Sequence, residues 1–165
     1  MYAKYQSSKS LILAATPQKY EISLYFELRA QLLTRSEILH LAPYTASGVN
    51  ICVSASPVCA DVCLISSGRG QMNCVQKSRL NKTYYFLADR LKFLNNLDHE
   101  IKLSFERARR KGFKYTVRLN GTSDLPFERY KLENGLNLMD NNPQVQFIDY
   151  TKIRNRLKIR KNNRK

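Results

Sequence analysis

The chain has 165 residues, 43% of them hydrophobic, which is enough for one domain with a true core and excludes a wholly disordered chain. Its formal net charge of +15 suits a polyanionic partner, nucleic acid first, or else a solvated basic surface. No apolar run is long enough to span a bilayer, and residues 11–15, behind Lys4 and Lys9, are too short for a secretory signal core, so the expected setting is the cytoplasm, without a membrane partner.

Residues 1–10 are polar. Residues 11–15 and 22–28 read as short strands separated by a turn at Pro17-Gln18. Residues 36–41 are ambiguous between element types. Pro43 and Gly48 then open a long loop, 42–71, that carries Cys52, Cys59 and Cys63 with Pro57, Gly68 and Gly70. A loop of that length inside a compact domain is normally functional or held by something, and a bound metal would hold it.

After Gly70 the pattern turns helical. Val75, Leu80, Tyr84 and Leu87 predict a helix to about Ala88, with Asp89 as cap or joint. Leu94, Leu97, Ile101, Phe105 and Ala108 predict a second helix, stopped by Gly112 after a basic last turn that suits the helix dipole. Residues 113–119 predict a strand running into Asn120-Gly121, 127–139 a weak helical stretch, and 145–150 a further strand. No internal repeat is present. The order helix, strand, loop, helix, strand implies parallel strands with crossover helices. The expected fold is therefore α/β, either partial (β/α) barrel-like or an open parallel sheet with a long cysteine-bearing loop. It occupies residues 1–155 as a single metal-binding domain. Residues 156–165 are expected to form a flexible basic tail that binds polyanions without sequence preference. From Lys152 to Lys165 there are eight Lys or Arg and no acid, while the preceding chain carries a net +7.

The cysteines carry the sharpest chemical signal. In a reducing compartment, clustered cysteines more often bind metal or do chemistry than form disulfides. Cys52, Cys59 and Cys63 have Cys-x6-Cys-x3-Cys spacing, unlike the paired Cys-x-x-Cys of structural zinc ribbons. Thiolates select iron–sulfur clusters, zinc or Cu(I). Three of them leave one position of a four-iron cluster, or of a zinc site, open to chemistry. Sharing one centre requires their sulfurs within on the order of 3 to 7 Å of one another. A closed zinc site needs a fourth ligand, for which Cys74 and His40 are available. The alternative is three buried, inert cysteines.

Other segments are candidates beside them. Gly68-Arg69-Gly70, ahead of a helix, is either a cradle of N–H groups for an anionic cofactor or a plain turn. Arg118 and Asn120 share one face at the carboxyl end of a predicted strand, where α/β folds carry ligands. Asp124 follows as a candidate base or ligand-binding group, the alternative being a turn whose polar side chains satisfy local backbone. Asp149 and Lys152 leave the next strand and project toward the same rim. His99 reads as solvated and His40 as packing, so nucleophilic triads lack their residues.

Asn50-Ile51-Cys52 through Cys63-Leu64, Gly68-Arg69-Gly70, Val75-Gln76, Arg79, Lys82-Thr83, Asp89-Arg90, Val117 through Asp124 and Val145 through Lys152 together resemble the phage gene product 88 family, in order, over roughly residues 40 to 156. The layout, cysteines early and β/α units after, is similar more loosely to radical S-adenosylmethionine enzymes, whose usual Cys-x3-Cys-x2-Cys is absent. Cys74, Ile148 before Asp149, and a basic stop where the family continues depart from the pattern, as in a C-terminally truncated form. The resemblance implies a [4Fe-4S] enzyme, with S-adenosylmethionine as a possible co-substrate, acting on a nucleic-acid or other anionic substrate. It implies catalytic roles for Arg118, Asn120, Asp124, Asp149 and Lys152, and metal ligation by the three cysteines. The alternatives are a zinc-stabilised nucleic-acid-binding module without catalysis, and a truncated, inactive relative that still binds metal.

Overall fold

The computed structural model of the protein describes residues 13–16, 33–63, 68–153 and Arg156. Four strands form one open, mixed sheet in chain order: β1 (Leu13–Thr16), β2 (Thr34–Leu39), β3 (Lys114–Arg118) and β4 (Gln146–Phe147). β1 pairs antiparallel to β2, with Leu13 opposite Leu39. β2, β3 and β4 run parallel, with Thr34 opposite Lys114 and Thr116 opposite Gln146. The expected parallel pairing of the strands at 113–119 and 145–150 thus holds, the ambiguous segment joins them in parallel as β2, and β1 runs antiparallel. The expected strand at 22–28, the turn at Pro17-Gln18, residues 1–10 and the tail beyond Arg156 lie outside the described residues.

The ambiguous segment is a strand because its polar side chains find partners within the sheet. Ser36 and Thr116 hydroxyls meet at 2.7 Å, and the Tyr115 hydroxyl donates to Glu37 at 2.6 Å. Arg35 pairs with the same Glu37 carboxylate at 2.8 Å, which makes burial of that charge tolerable.

The crossover from β2 to β3 contains α1 (Pro57–Asp61), α2 (Asn73–Ala88) and α3 (Arg90–Arg110). In α3, Leu94, Leu97, Ile101 and Ala108 face inward, as the periodicity predicts, joined by Phe93, while Phe105 is only partly buried. Asp89 caps it by accepting from the Lys92 N–H at 3.0 Å. At its far end the Gly112 N–H reaches Arg109 O and the Phe113 N–H reaches Ala108 O, both at 3.0 Å. That Schellman stop uses the left-handed φ of +71° at Gly112. The adjoining α2 turns a different face inward from the one its apolar residues predict: Arg79, Thr83 and Phe86 are buried while Tyr84 is exposed. Thr83 fixes that orientation. Its hydroxyl accepts from the Ala42 N–H at 2.8 Å and donates to Arg79 O at 2.9 Å.

Three expectations need correction. The 42–71 loop contains α1, whose first turn is built by Ser56-Pro57. The Ser56 hydroxyl accepts from the Cys59 N–H at 3.2 Å, and proline stands at a position that needs no N–H. The helical stretch at 127–139 divides into a short 3-10 turn, Phe127–Arg129, and α4 (Leu138–Asn141), because the chain turns between them at Gly135, with φ of +78°. The last strand spans only Gln146–Phe147, after which the backbone leaves the sheet.

Candidate metal centre and anion cavity

Parallel pairing places the carboxyl ends of β2, β3 and β4 along one edge, and the segments leaving that edge form the site. A cavity of about 420 Å³ lies there, lined by Cys52, Ala55, Cys59, Val62 and Cys63 on one side. Arg118, Asn120–Asp124 and Tyr150–Lys152 line the other. The three predicted cysteines therefore share a cavity with four of the five predicted catalytic residues. Asp149 does not line it but supports it from behind. Gly68, Arg69 and Gly70 stand apart from it in the 3-10 turn Gly68–Gln71 that leads into α2.

The strand-end wall is built around Asn120, which is 1% exposed. Its amide nitrogen donates to Leu125 O at 2.9 Å and to the Asp149 carboxylate at 2.7 Å. Its amide oxygen accepts from the Ser123 hydroxyl and the Leu125 N–H, both at 2.8 Å. Asn120 thus spends its whole hydrogen-bonding capacity on the protein, so it shapes the wall rather than acting on a ligand. Asp124 is similarly engaged. One oxygen takes the Thr151 hydroxyl at 2.8 Å and Arg156 at 2.9 Å, and the other takes the Lys152 N–H at 3.0 Å.

Arg156 also forks onto Glu128 at 2.8 to 3.0 Å, with its own side chain 9% exposed. The sequence reading assigned this residue to the tail; it belongs with the body. Nothing in a run of eight basic residues marks it out, since only the pairing of Asp124 with Glu128 in space selects it.

Two cations, Arg118 and Lys152, line the cavity together with the Asp124 carboxylate. Arg118 stacks 4.8 Å from the Tyr150 ring centroid and donates to Asn120 O at 3.2 Å. Asp149 is exposed as a whole residue, but its carboxylate faces the strand ends. Burial there pushes its pKa up, against the opposing pull of Asn120, the Tyr150 N–H, Arg156 and Arg118.

The cysteine wall is more lightly held. The Cys52 sulfur accepts from the Tyr44 N–H at 3.5 Å and donates to Thr122 O at 3.7 Å, and the Cys52 N–H donates to Asn50 Oδ1 at 2.8 Å. None of the four cysteines, all described, is in a disulfide. Cys74 is exposed at the start of α2, outside the cavity. Among the described residues no three His, Cys, Asp or Glu side chains are drawn into a group ready to hold a metal ion. The donor set nonetheless suits a soft cation. Burial raises the Cys52 thiol, the Tyr44 N–H opposes this, and negative charge on Cys63, Asp124 and Cys59 raises it further. Mutual repulsion of this kind is what a shared cation relieves.

His40 is not in the cavity wall. Its ring lies behind Gly121, where an added Cβ would stand 2.6 Å from Nδ1, so this position in the Asn120-Gly121 turn has room only for glycine. Burial, then Arg79, Lys82 and Arg118, lower the His40 pKa to about 4.

No helix among the described residues is long and apolar enough to cross a membrane. No curated protein and no solved structure matches the chain. The family model described as Gene product 88 matches residues 7–164. With nearly the whole sequence matched, the chain belongs to the gene product 88 family.

Proposed function

We propose that the chain holds a soft metal centre on Cys52, Cys59 and Cys63, an iron–sulfur cluster first, and applies it to an anionic substrate seated against Arg118 and Lys152. One observation carries this reading: three cysteines and two basic residues line a single cavity of about 420 Å³. A three-thiolate centre, when bound, supplies an open metal position for redox or Lewis-acid chemistry. S-adenosylmethionine is the candidate co-substrate, by the looser likeness to radical enzymes.

The chain's own residues divide the remaining work. Arg118, steadied by Tyr150, presents a planar fork suited to phosphate or carboxylate, and Lys152 adds a point charge. Asp124 fastens the wall instead of moving protons, because both its oxygens are engaged. The net +15 favours nucleic acid as the anion. The expected place of action is the cytoplasm of a phage-infected cell.

A second reading, a zinc-stabilised nucleic-acid-binding module, draws on the same wall. Asn120 and Asp124 are committed to the fold and no histidine lines the cavity, which leaves little for acid–base work. Anaerobic purification with absorption spectra and iron, sulfide and zinc analysis separates the readings. Broad visible absorption with roughly four irons and four sulfides per chain supports the first. About one colourless zinc supports the second. A metal-free protein that takes up neither contradicts both.

A further inference from the structure

Arg79 lies on the inward face of α2 at 7% exposure, and among the described residues neither its Nε nor its Nη1 has a hydrogen-bond partner. A guanidinium stays charged at any physiological pH, and buried charges are ordinarily paired. Burial lowers the Arg79 pKa, and the opposing influence is negative charge on Cys63. Its other neighbours are cations or their casualties. Lys82 is lowered by burial and by Arg79, with Glu100 opposing, and His40 is held neutral behind the cavity floor. Cys63 and Gly121 both line the cavity, and His40 packs against Gly121. Arg79, Lys82 and His40 thus lie within electrostatic reach of one another, and Arg79 within reach of Cys63 on the cavity wall.

We infer that Arg79 is the built-in counter-charge of the thiolate centre: a buried cation whose missing anion is the net negative charge that three thiolates bring to one metal. This rests on the metal reading above and adds a residue outside the ligand set. Arg79 acts through the centre's electrostatics and touches no substrate, so it is a positioning residue. The orphaned Nε and Nη1, buried on the inward face of α2, are what the inference explains.

The test is an anaerobic Co2+ titration of the full chain, followed by thiolate-to-cobalt absorption, for wild type, Arg79→Lys and Arg79→Met. Loss of a group that tunes a metal from outside its ligand set typically weakens binding about tenfold to a hundredfold, and R79M should fall in that range. R79K, which keeps the charge, should stay within about threefold of wild type with an unchanged spectrum. R79Q replaces R79M if the latter does not fold by circular dichroism.

If wild type takes up no Co2+, the metal reading fails and takes this inference with it. If wild type and R79M bind equally, the inference alone fails. R79K as weak as R79M would make the role one of shape rather than charge and overturn it. Inorganic phosphate that raises the melting temperature of apo wild type but not of R79M, with Co2+ affinity equal in both, would assign the orphan donors to a free anion and also overturn it.

Discussion

The two walls of the cavity are built in opposite ways. The strand-end wall, residues 118–124 with 149–153 and Arg156, is cross-braced by Asn120, Asp124 and Arg156, each making several short polar contacts. The cysteine wall is anchored at its start, where Ile51 is buried and its carbonyl accepts from the Asp124 N–H at 3.0 Å, but beyond Cys52 its Val53, Val58 and Val62 are 69 to 75% exposed. One wall is braced throughout; the other is anchored at one end and leaves three valines largely in solvent. That asymmetry is what a loop completed by a metal would have, since ligand binding energy then does the work of folding.

Substitutions in the braced wall should cost most. Asn120→Ala removes four hydrogen bonds and strands the buried Leu125 amide, so unfolding free energy should fall by about 4 kcal/mol in urea denaturation. Arg156→Ala leaves Asp124 and Glu128 facing each other without their cation and should cost about 3 kcal/mol. A loss below about 1 kcal/mol for both variants would show the bracing to be illusory.

His40, behind the floor, should give the wall an acid limit. Its folded pKa of about 4 lies below the ordinary 6.5. The stability it allows is complete above pH 6.5 and is lost as pH falls through 4, because the unfolded chain takes up the proton first. With its partial exposure discounted, the loss should be about 2 kcal/mol, and His40→Gln should flatten that limb of a stability–pH curve.

The smallest effect should come from the cysteine wall without metal. Replacing Cys52, Cys59 and Cys63 together by Ala should cost about 1 kcal/mol or less in apo protein, because beyond Ile51 and Cys52 the segment is largely exposed at Val53, Val58 and Val62. The same replacement should abolish any rise in melting temperature on adding metal. A large apo cost would mean the loop is packed in its own right.

The braced wall was legible in sequence only as a segment. Strand periodicity and the Asn120-Gly121 turn located it, yet its residues turned out to be spent on one another, which depends on contacts about 30 residues apart such as Asn120 with Asp149. The helix Arg90–Arg110 could be read because its inward face is uniformly apolar. The preceding helix hid its face because Arg79 and Thr83 point inward, where periodicity looks for hydrocarbon. Ser56-Pro57 is a readable helix start inside a segment whose prolines and glycines otherwise signal a loop. Arg156 carried no local signal at all.

The most direct test of a metal-completed wall is parallel anaerobic reconstitution of wild type and the four single Cys→Ser variants, with metal per chain measured after gel filtration. Cys52→Ser, Cys59→Ser and Cys63→Ser should each lose most of the metal, while Cys74→Ser, outside the cavity, should retain it. Equal metal content in all five proteins, or loss confined to Cys74→Ser, would contradict the account.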